Sequence, residues 1–352
     1  MCKRLLAFAG LVLAAAPAFA QSAPSRLAID TVAAIDRSVD RFGNSATGVV
    51  LDAVVSAELG GGFEAIVRPF AQRLANGSWN RQVWVATIRY ERRGEVGLRV
   101  DAGLIPSPVG LGNLMLRPHN NATIALPSSL FTALPAIELR APRTTLLGVI
   151  YPYGVSTTVS VTHWDARLAV IDTSPLRSRR TFGRSNPPRF RNVVVGAGAT
   201  PFVGLRVGAS VTRGGWQHAG ETPFVTDNRD ATIVTLESDF SIRHSRLMAE
   251  WVHDRLETGT GKVNASGWFA QIHQTLSPRW FAAARLERMA APLQTPLLTF
   301  DNQEFTASEE VLGYRLTPEI TIRGGHRARR GFGRPGFDHV GEVSVVWWRR
   351  WM

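Results

Sequence analysis

Cysteine is nearly absent: the one Cys among 352 residues is Cys2. A small secreted domain stapled by disulfides needs several cysteines, and thiolate catalysis or a cysteine-ligated metal needs them in the working part of the chain, so these classes fall away. Lysine is almost as scarce, with Lys3 and Lys262 alone, so the net charge of +12 is carried by arginine. Long apolar runs are lacking too. Residues 144–164 carry no full charge over a helix-spanning length, but Gly148, Pro152 and Gly154 sit among Thr and Ser there, a mixture poorly suited to a helix. That segment reads as two strands around a Tyr-Pro-Tyr-Gly turn. A mean hydropathy of −0.02 argues against helical spans, while 45% hydrophobic residues exclude wholesale disorder.

What is present begins with an export signal. Lys3 and Arg4 precede an apolar stretch over 5–16 and an Ala18-Phe19-Ala20 cleavage site, which predicts a signal peptide over residues 1–20, removed before Gln21. An uncleaved anchor helix is the alternative, weakened by the short apolar core and by Pro17. Cys2 is not at the cleavage junction, so no lipoprotein is implied. Residues 21–44 are expected to form a periplasmic N-terminal segment. There Leu27, Ile29, Val32, Ala33, Ile35 and Val39 fit a short amphipathic helix at least as well as a strand.

From about residue 45 the period is two. In residues 96–104 every even position is apolar and the odd ones are Gly, Arg or Asp; residues 203–211, 280–287, 84–91 and 320–323 repeat the alternation. Fifteen strands follow: 47–58, 63–73, 82–92, 95–104, 144–152, 156–172, 191–199, 202–212, 230–241, 245–256, 264–275, 279–288, 306–316, 318–327 and 338–351. Bacterial single-chain barrels have even strand numbers. Sixteen is preferred, with one strand hidden before residue 47, and fourteen is the alternative. Short turns are expected at 200–201, 243–244, 277–278 and 317–318, and longer loops near 174–190, 213–229, 257–263, 289–305 and 328–337.

Short turns on one side and long loops on the other predict an all-β fold, a transmembrane antiparallel up-and-down β-barrel over residues 45–352 with short periplasmic turns and long extracellular loops. A soluble β-sandwich also alternates, but requires no such asymmetry. Trp84, Tyr90, Trp251, Trp268, Trp280, Trp347 and Trp351 lie near strand ends, where interfacial girdles sit.

Two stretches carry a family likeness. Gly313-Tyr314-Arg315-Leu316-Thr317-Pro318-Glu319-Ile320-Thr321-Ile322-Arg323, with Val343-Ser344-Val345-Val346-Trp347-Trp348-Arg349-Arg350-Trp351, resembles the last hairpin and closing strand of phosphate-selective porin O and P type outer-membrane proteins. Asp101-Ala102-Gly103-Leu104-Ile105-Pro106-Ser107-Pro108-Val109-Gly110 is similar to that family's strand and Pro-Gly loop, and Gly60-Gly61-Gly62-Phe63-Glu64 to its early Gly-rich turn. The resemblance implies outer-membrane assembly, handling by the barrel assembly machinery, and a homotrimer. Two departures stand out: Met352 follows Trp351 where an aromatic residue ordinarily ends the chain, and the Arg and Lys ladder linked with phosphate has only Lys262 for its lysine.

Parity puts Arg68, Arg89, Arg99, Arg206, Arg246, Arg285 and Arg323 opposite the apolar face, with Glu64, Asp101, Glu250 and Glu287 among the acids beside them. These are the pore-lining candidates. Arginine rings bias passage towards anions, although cross-strand ion pairs that only solvate the wall would give the same pattern. Residues 105–143 are too long for a hairpin loop and are expected to fold inward as a constriction, with Arg117, His119, Arg140 and Arg143 as candidates. An external lid or an oligomer contact are the alternatives. Arg177, Arg179, Arg180 and Arg184, with Arg329, Arg330 and Arg334, form basic surface loops suited to lipid phosphates or to gathering anions at the mouth.

The expected function is an outer-membrane porin passing small anionic or neutral hydrophilic solutes by passive diffusion, seated in outer-membrane lipid. A closed structural or adhesive barrel acting through its Arg-rich loops is the alternative. The export signal disfavours nucleic acid as a partner. No cofactor or metal is expected, and no enzymatic motif, neither Gly-x-Ser-x-Gly nor His-Glu-x-x-His, occurs. A hydrolase assembled across strands around His253, His273 or His326 would be the exception.

Overall fold

The computed structural model describes residues 27–74, 77–137, 144–148, 151–177, 191–221, 225–295 and 300–351. Within them, sixteen antiparallel strands close into one barrel. They are β1 (Leu27–Asp40), β2 (Ser45–Gly60), β3 (Phe63–Arg73), β4 (Trp79–Arg92), β5 (Gly97–Leu104), β6 (Tyr153–Ser160), β7 (Trp164–Ile171) and β8 (Asn192–Phe202). The second half comprises β9 (Leu205–Gln217), β10 (Arg229–Ile242), β11 (Ser245–Thr258), β12 (Gly261–Thr275), β13 (Trp280–Gln294), β14 (Phe300–Arg315), β15 (Ile320–Arg330) and β16 (Asp338–Trp351). Each strand pairs with its sequence neighbours, and β16 returns to β1 from Ile29↔Trp351 to Asp40↔Val340. Closure satisfies every edge, the condition for a sheet to sit in a medium that offers no hydrogen bonds. No described helix is long and apolar enough to cross a membrane.

The strand β1 corrects the reading of residues 21–44 as a periplasmic segment. Without it, the fifteen strands β2 to β16 leave an open edge on β2 and another on β16, and Leu27–Asp40 fills both, pairing Ile35 with Val49 on one side and Val345 on the other. In that extended form Leu27, Ile35 and Val39 face outward while Val32 and Ala34 are buried. The pairing thus overrides a pattern that also fits a helix.

Three other boundaries move. Residues 144–148 form no strand; Leu146 and Leu147 are buried inside the barrel instead. The single strand expected over 156–172 is two, β6 and β7, reversed at 161–163 where Val161 and Trp164 exchange backbone hydrogen bonds. The turn expected at 200–201 lies at 203–204, on Gly204 with φ +98°.

One end of the barrel carries connections of two to four residues, at 61–62, 93–96, 161–163, 203–204, 243–244, 276–279 and 316–319. The other end carries 105–152, 172–191, 218–228 and 331–337, but also tight connections, notably 259–260. The expected loops at 257–263 and 289–305 are mostly strand, because β11 to β14 run on well past their neighbours.

Aromatic residues gather on the short-turn end, many of them on the outer face. Phe63 packs on Tyr90, Phe202 on Phe240, Trp280 on Tyr314 and Trp347 on Trp351, with Trp164 exposed between them. Amphipathic rings favour the headgroup level of a bilayer, so this belt marks one interface.

Trp84 departs from this pattern. The β3–β4 register shifts between Arg68 and Pro69. That bulge reverses the parity of β4, so Trp84 and its neighbour Val85 are both buried, and Trp84 stacks on Phe70 at 3.6 Å inside the barrel.

Candidate pore and its inner loop

The wall turns a charged face inward, and the segment between β5 and β6 enters the barrel to meet it. This segment holds a short 3-10 turn, Gly112–Leu116, and one helical turn, α1 (Ser128–Phe131). Its Pro-rich sequence satisfies only part of its own backbone, so the remaining buried amides and carbonyls find partners on the wall. Three carboxylates accept from it. Glu250 accepts the amides of Leu111 and Gly112, Glu309 accepts Ile124 at 2.7 Å and Ala125 at 2.9 Å, and Glu287 accepts Ser128 at 2.5 Å. Gly110, at φ +78°, allows the approach to Glu250: a Cβ there would lie 2.7 Å from Oε2.

Arginines hold the carbonyl side of the loop. Arg285, 1% exposed, donates to Thr123 Oγ1 at 2.7 Å, the Ala125 carbonyl at 2.9 Å, Glu309 at 2.8 Å and Glu287 at 2.7 Å. Arg323 donates through Nη1 to the carbonyls of Pro118, Asn121 and Thr123, and through Nη2 to Ser344 Oγ. Arg167 reaches the Pro108 carbonyl. From the loop itself, Arg117 donates to Asp30 at 2.7 Å and lies 3.5 Å from Asp52.

Seven arginines expected to line the interior therefore do lie on the inner face, but as bound groups. Arg68 is clamped by Asp52 at 2.6 Å and Tyr151 at 2.9 Å, Arg89 bridges Asp101 and Glu64, and Arg99 joins the same Asp101. Arg206 spans Asp165 and Glu237, and Arg246 pairs with Asp239. Sequence reasoning missed the partners Asp30, Asp52 and Glu309, together with Gln271 and Tyr151. Parity alone exposes Asp52 and Glu309 as inward residues; Asp30 was hidden in a segment expected to lie outside the barrel.

Of the constriction candidates, Arg117 and His119 are inside. His119 stacks on Trp348 at 5.4 Å between centroids, and burial together with the neighbouring Arg117 pushes its pKa down to about 4. Arg140 and Arg143 lie outside the described residues, as do Arg179, Arg180 and Arg184. Arg177 is not a surface group. It is 7% exposed, paired with Glu221 at 2.5 Å and donating to the Trp216 carbonyl, because loops 172–177 and 218–221 fold against each other over the barrel mouth. Arg329 and Arg330 belong to the end of β15 rather than to a loop, and exposed Arg334 approaches Asp338 at 3.5 Å.

The loop divides the lumen into two chambers. One, of about 670 Å³, opens to the long-loop end, with Asp36, Gln72, Arg327 and Arg329 on its wall; the other, of about 600 Å³, opens to the short-turn end, beside Phe281, Arg315 and Glu319. Pro118, Asn121 and Arg323 line both chambers, and Arg323 donates to the other two residues' carbonyls where the chambers approach. Among the described residues no cluster of His, Cys, Asp and Glu could hold a metal ion.

A closed sixteen-strand barrel with a long loop docked in its lumen is the porin type of fold. Solved structures share it. OmpF of Salmonella typhi, in complex with daunomycin, is 10% identical with a TM-score of 0.63, covering 92% of this chain and 97% of that one. OmpT, an outer membrane protein of Vibrio cholerae, is 7% identical with a TM-score of 0.60, over 94% and 99%. An anion-selective porin from Comamonas acidovorans is 11% identical with a TM-score of 0.59, over 93% and 100%. No family model and no curated protein matches the sequence.

Proposed function

We propose that the protein is an outer-membrane porin through which small hydrophilic solutes diffuse passively, with a preference for anions. The observation that carries this reading is the pair of chambers of about 670 and 600 Å³, one toward each end of the barrel, with Arg323 in the lining of both. Its guanidinium is shared by the linings of both chambers, with Arg327 and Arg329 on the same inward face of β15 in the long-loop chamber. A fixed positive group in a low-dielectric constriction lowers the barrier for anions and raises it for cations.

The reading includes export by residues 1–20, insertion by the barrel assembly machinery, outer-membrane lipid around the wall, and a homotrimer. It does not extend to phosphate selectivity, for Lys262 is the sole lysine beyond the leader and is paired with Glu257 on an exposed hairpin. Nor does it assign a reaction.

One observation favours the closed barrel as a second reading: the loop is tied to the wall on both its amide and its carbonyl side. Single-channel recording in planar bilayers separates the two. Discrete steps in potassium chloride are expected, with a reversal potential of anionic sign in a salt gradient. Absence of steps favours the closed barrel, and a cationic reversal potential removes the arginine argument.

A further inference from the structure

The chamber on the long-loop side is not a uniform aqueous vestibule. One part of its lining is apolar and comes from the loop: Ile124, Leu126, Leu130 and Phe131, the last 45% exposed, backed by Trp84 and Phe305 from the wall. Elsewhere the lining is charged: β15 contributes Arg323, Arg327 and Arg329 from its inward positions, Arg37 and Arg73 also line the chamber, and Asp36 and Glu342 are the acids among them. Gly325 lies between Arg323 and Arg327, and a Cβ built on it would come within 3.5 Å of Ile124, so the loop's apolar residues and the β15 arginines share one surface.

The arginines differ in availability. Arg323 is spent on loop carbonyls, and Arg327 pairs with Glu342 at 3.0 Å. Arg329 stands opposite Ala307, a residue buried on the inner face, and is exposed; it forms no ion pair among the described residues. An uncompensated guanidinium beside an apolar surface, in a cavity of about 670 Å³, has the composition of a small-molecule site: a mostly apolar lining with a few placed polar groups.

We propose that this chamber is a binding site for amphipathic organic anions, monocarboxylates with a compact apolar body. The carboxylate meets Arg329, with Arg327 next to it, and the body lies against Phe131 and Leu126. Inorganic anions gain only the charge contact, and neutral apolar solutes only the surface. The chamber comes first for a solute arriving from the long-loop side, so it concentrates such acids ahead of the docked loop. The proposal rests on the channel reading for its role in transport, but not for binding.

Benzoate is the probe, with acetate and benzyl alcohol as controls. Calorimetric titration of the detergent-solubilised barrel tests binding whether or not the pore conducts. Benzoate is expected to bind at least about tenfold more tightly than either control, the factor that the charge-assisted contact confers over benzyl alcohol and that burial of the ring confers over acetate. Arg329→Gln and Phe131→Ala each weaken it about tenfold, with heat-modifiable gel mobility verifying that both variants fold. In bilayers, benzoate added on the long-loop side blocks chloride current at lower concentration than benzoate on the other side. Equal affinities for benzoate and acetate, or a benzoate affinity untouched by both variants, overturn the proposal. Benzoate binding without any channel steps retains the site and removes the porin reading instead.

Discussion

Replacing Arg285 by Met tests the idea that buried ion pairs, rather than the loop's own structure, keep the loop inside the barrel. Arg285 is almost wholly enclosed and joins two wall carboxylates to two loop residues, Thr123 and Ala125. The Met side chain fills most of the volume but leaves Glu287 and Glu309 buried without their cation. Breaking a buried pair from one side costs about 3–5 kcal/mol. That cost applies to the docked state only, since an undocked loop admits water to both carboxylates. Loop docking therefore weakens by about two to four powers of ten, while strand pairing is untouched.

Two assays read the change. Limited proteolysis of the folded barrel should cut within residues 105–137 in Arg285→Met but not in the parent protein. Single-channel records should show larger and noisier conductance as the loop leaves the lumen. The double variant Arg285→Met with Glu309→Gln removes both charges of one pair and should recover part of the protection, the non-additivity expected of partners in contact. Unchanged protease resistance and unchanged conductance in Arg285→Met would refute the reasoning, because the loop would then be held by its apolar contacts alone.

Three further outcomes follow from the same packing. Gly110→Val places a branched side chain at φ +78° against Glu250 and Leu147; it should undock the start of the loop by at least about 1–3 kcal/mol, visible as faster amide exchange at Leu111 and Gly112. Trp84→Ala empties the stack between Phe70 and Tyr151 and should lower barrel stability in urea by about 3–5 kcal/mol, whereas Trp164→Ala on the outer belt should alter membrane insertion and leave the lumen unaffected. His119, depressed to about 4 in the folded protein, binds its proton more readily once the loop is released. Docking should weaken as pH falls from about 6.5 towards 4, and His119→Gln should flatten that dependence in proteolysis assays.

The amino-acid sequence by itself determined the barrel. Period-two alternation through residues 96–104 and 203–211 fixes which side chains face oil, and the tight turns at 276–279 and 316–319 carry the Ser-Pro and Thr-Pro signals that place them. It also made the inward arginines legible, since a charge at the wrong parity would face lipid. Strand β1 was legible only as a count: the even strand number called for one strand before residue 47, and β1 at Leu27–Asp40 is that strand, but nothing local marked it. Its residues fit a helix as well as a strand, and only the need to close the edges of β2 and β16 made them extended. The inward position of Trp84 was equally hidden, because a one-residue bulge opposite Arg68 and Pro69 reverses parity without a local signature. What only the tertiary structure decided was the state of the charges. Composition supplied arginines for an anion path, but whether a guanidinium is free depends on which carboxylate or carbonyl a distant segment brings to it. Glu309 and Thr123 meet at Arg285 across more than a hundred and fifty residues of chain, and no periodicity encodes a contact of that range.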